Sequence, residues 1–379
     1  MTEKLYYLDA YIKEFDARVI SSVRVGDIYE TVLDKTAFFP EEGGQSADTG
    51  TIGDTRVIDV AERNGIIYHI TDGELPLGSV HCVLDFDVRF EKMQCHTAEH
   101  IMCGIIHEMF GYGNVGFHLG ADLVTFDVDG ELTAEEIAMV EQRANEVIFS
   151  NVKVNAFIPS RDELAMIDYR SKSEIEGEVR IVEIEGVDKC ACCAPHVAYT
   201  GEIGVIKIVD FMRHRGGMRL TLEAGRRAFA DYKTRYEITR RIGAMTSTPS
   251  LEILGSVSAL MDERDKLVYE LKTVKSRLAT TLADGVKSTE GSYIAVLDGF
   301  DIPEMREFAN SVGDKVSGYL VVLSPDPSGY KYLICSRSVN LRNEIKNINS
   351  VLNGRGGGSP EMVSGRFDAS IDAIREYFK

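Results

Sequence analysis

His96-Thr97-Ala98-Glu99-His100 and Cys190-Ala191-Cys192-Cys193-Ala194-Pro195-His196 lie far apart in the chain, yet together they hold the donor set of one tetrahedral zinc site. Histidines four residues apart on a helix share one face, one turn above each other, so both rings reach a single ion. A thiolate and a third imidazole from the distant segment complete four ligands of the type zinc prefers. Taken alone, the histidine pair has an ordinary reading as a helix face with nothing bound. Three cysteines within four positions followed by a histidine, in a chain of seven cysteines, tip the joint reading to metal.

The pattern is not that of an HExxH protease. Thr97 stands where that motif has its glutamate, and Glu99, next to His100, is expected to point off the metal face. No carboxylate is then placed beside the ion as general base. Hydrolysis would need metal-activated water, a base from elsewhere, or a hydroxyl of the substrate.

A third stretch, Thr36-Ala37-Phe38-Phe39-Pro40-Glu41-Glu42-Gly43-Gly44-Gln45-Ser46-Ala47-Asp48-Thr49-Gly50, reads as a strand end breaking into a tight turn. Gly43 and Gly44 let the backbone approach a ligand or adopt positive φ, and Thr36 and Gln45 offer a hydroxyl and an amide without charge. On chemistry alone a hairpin with a polar tip fits equally well.

The elements that must position these groups follow from the pattern of the chain. Residues 16 to 90 alternate in short apolar runs separated by Gly53-Asp54, Asn64-Gly65 and Asp72-Gly73, the punctuation of hairpins in a small β-barrel. Glu91 to Phe110 turns helical, stopped by Gly111 and Gly113. Thr133 with Glu136 forms a capping box that starts a helix to Ser150. Strands are expected at Val152 to Phe157, Val179 to Ile184, Ile203 to Phe211 and Met218 to Glu223, which makes 91–245 an α+β layer.

Leu254, Met261, Val268, Lys275 and Leu282, with Val257, Arg264, Leu271 and Leu278, follow a heptad. They predict a helix on the order of 45 Å long. It either packs on its own domain or pairs between chains. The C-terminal 286–379 alternates strands and helices as an α/β domain, and its Gly354 to Ser359 run lacks the Gly-Lys-Ser/Thr ending of a phosphate loop. The expected organisation is therefore α+β overall: a barrel-like domain 1–90, a zinc-binding domain 91–245, a helix 246–285 and a C-terminal domain 286–379.

Composition narrows the class. The 379 residues are 44% hydrophobic and 27% charged, with no apolar run long enough to span a bilayer. The start lacks the apolar core of a secretory signal, and seven cysteines, an odd number, suit a reduced cytoplasmic protein using thiolates for metal. A net charge of −18 argues against nucleic-acid binding over the whole surface. A local exception runs from Arg213 to Arg241, with Arg215, Arg219, Arg226, Arg227, Lys233, Arg235 and Arg240 between them. It is either a solvated helix face with ion pairs or a phosphate track.

Three elements in this order, Thr36 to Gln45, His96 with His100, and Cys192 with His196 followed by Thr200-Gly201-Glu202-Ile203-Gly204, resemble the editing domain of alanyl-tRNA synthetases. More closely, they resemble the freestanding alanyl-tRNA editing proteins of the AlaX type. Arg215-Gly216-Gly217-Met218-Arg219 and Gly225-Arg226-Arg227-Ala228 are similar to the family's later segments, and the C-terminal part is similar to the DHH-associated domain, without any Asp-His-His motif. The resemblance implies a Zn2+ site at His96, His100, Cys192 and His196, catalytic roles for Thr36 and Gln45, and substrate contacts at Phe38, Gly43, Gly44, Arg215 and Gly216. It implies hydrolysis, in trans, of the ester that joins serine or glycine to alanine tRNA, and a C-terminal domain for tRNA contact or self-association.

One departure stands out: the synthetase loop is Cys-Gly-Gly-Thr-His, whereas this chain has Cys192-Cys193-Ala194-Pro195-His196. It leaves open whether Cys190 or Cys193 replaces Cys192 as ligand. It also leaves open a zinc-stabilised RNA-binding module without turnover, or editing of another mischarged tRNA. Homodimerisation through the long helix or the C-terminal domain belongs to the same set of expectations.

Overall fold

The computed structural model describes residues 2–120, 123–171 and 177–379. It is a mixed α+β protein that divides into two compact units, Met1–Thr239 and Arg240–Lys379.

The first unit opens with β1 (Glu3–Lys4), β2 (Glu14–Val25), β3 (Ile28–Leu33), β4 (Lys35–Thr36), β5 (Gly50–Ile52), β6 (Thr55–Arg63), β7 (Ile66–Thr71) and β8 (Gly78–Leu84). Strands β2, β3, β7, β6, β5 and β8 close on themselves in that order, while β1 pairs with β4 in parallel. Alternation along these strands sends Ala17, Val19, Leu33, Ile52, Val57, Val60, Ile67 and Cys82 inward around Phe38 and Phe39. The buried centre also holds polar groups: Thr36 Oγ1 pairs with His69 Nε2 at 2.8 Å, and His69 Nδ1 donates to Thr31 O at 3.1 Å. Burial pulls His69 down to about 4, so it is a neutral hydrogen-bonding group there.

Next come α1 (Phe86–Phe110), β9 (Asn114–Leu119), β10 (Val124–Val128), α2 (Ala134–Phe149), β11 (Val154–Phe157), α3 (Arg161–Leu164), β12 (Ile181–Ile184), β13 (Asp188–Ala191), β14 (Ile206–His214), β15 (Gly217–Ala224) and α4 (Gly225–Thr246). They form a four-stranded sheet of order β14-β15-β10-β9 and a three-stranded sheet of order β11-β12-β13, both antiparallel. Helix α1 sits in the middle, with nearly every residue from Lys92 to Ile106 buried. A helix covered on all sides is a core element, and its C-terminus is closed by Gly111 in the left-handed conformation. Thr133 caps α2 with Glu136 at the third position. Strand β14 starts later than the sequence suggests because Thr200–Ile203 makes a 3-10 turn ended by Gly204 at φ +83°.

The second unit contains α5 (Ile253–Gly285), β16 (Tyr293–Val296), α6 (Ile302–Val312), β17 (Leu320–Asp326), β18 (Gly329–Cys335), α7 (Leu341–Val351), β19 (Gly354–Gly358), β20 (Met362–Phe367) and α8 (Ile371–Tyr377). Its sheet has the order β16-β17-β18-β20-β19. One face packs Met305, Phe308, Ala279 and Ala283 of α6 and α5, and the other packs Ile345, Ile348 and Ile374 of α7 and α8. The glycine run is itself the edge strand β19. Nothing in its propensity calls for a strand, but the open edge of β20 supplies a complete antiparallel ladder.

Candidate metal centre and the cavity around it

Helix α1 presents His96 and His100 one turn apart. Opposite them the chain leaves β13 at Ala191 and turns through Cys192 to Pro195 before reaching His196. Arg180 holds that turn, donating from Nη1 to Cys192 O and Ala194 O, both at 2.9 Å. One donor atom from each of His96, His100, Cys192 and His196 then falls within 4.8 Å of the others. The Cys192 Sγ lies 3.6 Å from Nε2 of His96 and 3.4 Å from Nε2 of His196. Two ligands at zinc's usual N and S distances and a tetrahedral angle are about 3.6 Å apart, so the donor set fits zinc.

The outer contacts of the three rings agree with this. Nδ1 of His96 is 2.8 Å from Gln45 Oε1, and Nδ1 of His100 is 3.2 Å from Asp188 Oδ2. Nδ1 of His196 is 3.0 Å from Thr97 Oγ1, whose own proton goes to Met93 O at 2.8 Å, so this hydroxyl accepts. Nδ1 of each ring thus has a partner outside the centre and Nε2 faces inward, the orientation in which a bound metal would take Nε2. Burial alone would raise the Asp188 carboxyl, but His100 and the two-fold contact with Arg170, at 2.7 and 2.9 Å, hold it below its ordinary value.

Close packing delivers Asp188. Gly104 stands one turn beyond His100, and a Cβ there would meet Val187 O at 2.7 Å and Asp188 Cβ at 2.8 Å. Only a bare α-carbon lets β13 approach α1 so closely.

The cysteines differ in their electrostatics. Burial works against ionisation of Cys192, yet the His96 and His196 rings and hydrogen bonds to His100 and His196 bring its thiol well below the usual range. Burial pushes Cys190 and Cys193 up. Cys190 contributes to a second buried group with His100 and Asp188, and Cys193 lines the adjoining cavity. Burial also lowers His196 to about 3, keeping its lone pair available.

A cavity of about 460 Å³ opens beside the donors, lined by His96, His100, Cys192, Glu99, Asn114 and Arg180 among others. Glu99, expected from its place next to His100 to point off the metal face, instead lines this cavity. Glu99 is 2% exposed, and its Oε2 lies 3.9 Å from His100 Nε2. The reason is helical spacing: a residue three after His96 shares the face of His96 and His100.

The other expected residues are distributed unevenly. Gly43 lines the cavity. Gly43 and Gly44 have φ of +62° and +85°, and a Cβ on Gly44 would sit 2.3 Å from Phe117 O, so the loop docks on β9 only as glycine. Gln45 is buried behind His96. Thr36 and Phe38 have no exposed surface and pack within the barrel, and the Thr36 hydroxyl also accepts from Phe38 N at 3.1 Å. Arg215 and Gly216 form the turn between β14 and β15, apart from the residues lining the cavity. In the basic stretch, Arg213, Arg219, Arg226, Arg227 and Arg235 pair with Glu131, Asp127, Asp87, Glu91 and Asp231. Sequence reasoning missed Thr97 and Asp188, whose contacts span 99 and 88 residues, and Arg170, Arg180 and Asn114, whose contacts are nearer in the chain but follow no helical or strand period.

Comparison with known proteins adds an independent line. Residues 179–220 match the Threonyl and Alanyl tRNA synthetase second additional domain. Alanyl-tRNA editing protein AlaX-L of Pyrococcus horikoshii is 28% identical over 399 residues, covering 99% of this chain and 96% of the relative. Alanyl-tRNA editing protein AlaX-M of Methanosarcina acetivorans is 40% identical over 229 residues, covering 55% of this chain and 92% of the relative. An alanine--tRNA ligase of Ignicoccus hospitalis is 29% identical over 94% of this chain, which spans 40% of that longer protein. With the zinc-type donor set, the docked glycine loop and these relatives together, the chain belongs to the alanyl-tRNA editing protein family of the AlaX type.

Proposed function

We propose that the chain is a trans-acting hydrolase that cleaves the aminoacyl ester of mischarged alanine tRNA, with serine as the principal and glycine as a secondary wrong amino acid. The observation that carries this is the convergence of His96, His100, Cys192 and His196 beside an open cavity, in a member of an editing family. The division of labour has a physical basis. A site that accepts alanine rejects serine poorly on size, so a second site that recognises the hydroxyl is needed.

Zinc held by the four donors would supply Lewis-acid polarisation of an ester carbonyl. Gln45 orients His96 through its Oε1, Asp188 orients His100, and Thr97 orients His196, so the rings keep their places as substrate enters. Arg180 fixes the carbonyls flanking Cys193 and with them the cavity wall. Of the two catalytic candidates, Thr36 has the less geometric support for reaching substrate, since its hydroxyl is buried in the barrel and engaged with His69 and Phe38 N. The partner in this reading is tRNA, and the chain self-associates through the exposed heptad face of α5.

A second reading draws on the donor count: four protein ligands make a closed shell, the arrangement of structural zinc. The chain would then be a zinc-stabilised RNA-binding module. Incubation with alanine tRNA charged with labelled serine, and in parallel with alanine, separates the two. Chelator-sensitive loss of serine but not alanine is expected. Stable esters of both in a folded, zinc-loaded sample would favour the binding module, and cleavage from a different tRNA would redirect the substrate.

A further inference from the structure

From Phe229 to Ile238, helix α4 is open to solvent along nearly its whole length, with Asp231 alone half-buried. Three of its side chains there are aromatic: Phe229, Tyr232 and Tyr236 are exposed by 67, 63 and 53%. Spacings of three, four and seven residues place them on one helical face, with Lys233 beside them. The Tyr232 and Tyr236 rings are stacked, their centroids 6.2 Å and their planes 23° apart. Packing within the first unit does not account for rings held out in water on a single face, and such a patch marks an interaction surface.

The charges around the rings select the partner. Arg226 pairs with Asp87, Arg227 with Glu91, and Arg235 with Asp231 on the far side of the helix. Lys233 has no ion-pair partner among the described residues. Over its length α4 carries six basic and two acidic residues, so meeting its own copy across a two-fold axis would oppose like charges. A nucleic acid satisfies both features at once: its bases offer flat π-faces to the rings and its phosphates a negative charge to Lys233. A duplex keeps its base faces inside the stack, so the fit is to unpaired nucleotides.

We propose that the face of α4 formed by Phe229, Tyr232 and Tyr236 is a stacking platform for unpaired nucleotides of RNA, with Lys233 at their phosphates. The proposal rests on RNA as the partner, which both functional readings share, and not on turnover. Its probes are fluorescein-labelled oligoadenylate and an abasic counterpart that keeps the sugar-phosphate backbone, titrated into the full chain by fluorescence anisotropy. Tyr232→Leu with Tyr236→Leu keeps helix propensity and apolar bulk at two exposed positions and removes the π-faces. Tyr232→Phe with Tyr236→Phe restores them.

The wild type should bind oligoadenylate more tightly than the abasic probe. The leucine pair should weaken oligoadenylate by about 10-fold to 100-fold and leave the abasic probe unchanged, and the phenylalanine pair should bind as the wild type does. Lys233→Gln should weaken both probes alike and lower the salt dependence by about one counterion. Equal affinity of the wild type for the two probes, or oligoadenylate binding untouched in the leucine pair, would overturn the platform. Altered sedimentation of the leucine pair with oligoadenylate binding intact would assign the face to a contact between copies, which also overturns it. Cleavage of serine-charged alanine tRNA, followed on the same samples, keeps the two ideas apart. Cleavage without a base preference strikes the platform alone, and a base preference without cleavage strikes the deacylase reading alone.

Discussion

At the scale of single residues, the donors and the atoms behind them make separate predictions. Cys192→Ser should abolish stoichiometric zinc, whereas Cys190→Ser and Cys193→Ser should retain it, because the Sγ of Cys192 is the one gathered with the three imidazoles. Metal analysis of the purified variants decides it; retention in Cys192→Ser with loss in Cys190→Ser would move the ligand to the second buried group. His69 gives a pH prediction outside the metal centre. Its folded value of about 4 lies below the ordinary histidine value of 6.5, so the unfolded chain takes up the proton first as pH falls. The stability present above pH 6.5 is therefore lost progressively toward pH 4, by on the order of 3 kcal/mol. Denaturant titrations of wild type and His69→Gln across that window should show this slope only in the wild type.

At the scale of elements, the close approach of β13 to α1 controls the centre. Gly104→Ala gains about 1 kcal/mol of helix propensity. It also forces a Cβ onto Val187 O at 2.7 Å, a backbone atom that cannot move aside alone. The expected net result is lower stability and zinc affinity reduced about 10-fold to 100-fold, the same direction as Asp188→Asn. Chelator competition measures both, and an unchanged affinity in Gly104→Ala would mean that Asp188 does not need this contact. What was legible in the sequence follows the range of the signal. His96 and His100 declare themselves by helical spacing, Thr133 with Glu136 by a local cap, and α5 by its heptad. The position of Glu99 is also within reach of helical spacing, through its register three residues after His96. Asp188 and Thr97 act across the fold, Arg180 acts on a nearby turn that no motif marks, and the edge strand β19 exists only because β20 accepts it.

At the scale of the whole molecule, the long helix and the charge pattern are the features that bear on association. Leu254, Met261, Val268 and Leu271 on α5 are exposed by 81, 53, 61 and 56%, an apolar seam interrupted by Arg264 and Lys275 and of the kind that marks an interaction surface. The chain should therefore sediment as a dimer at micromolar concentration, and Val268→Lys with Leu271→Lys should make it monomeric; a monomeric wild type would refute the pairing. The arginines of the basic stretch answer largely to carboxylates of the chain itself, so the part left to contact RNA is narrower than the sequence suggests. No helix among the described residues is long and apolar enough to cross a membrane. Whether the four gathered donors serve ester cleavage is decided by a zinc titration of the depleted protein against alanine tRNA charged with labelled serine. Serine release should rise in step with zinc occupancy and reach its plateau at one ion per chain, with the alanine ester left intact. Full serine release before zinc is added, or none at full occupancy in a folded sample, would show that the donors do not serve this cleavage.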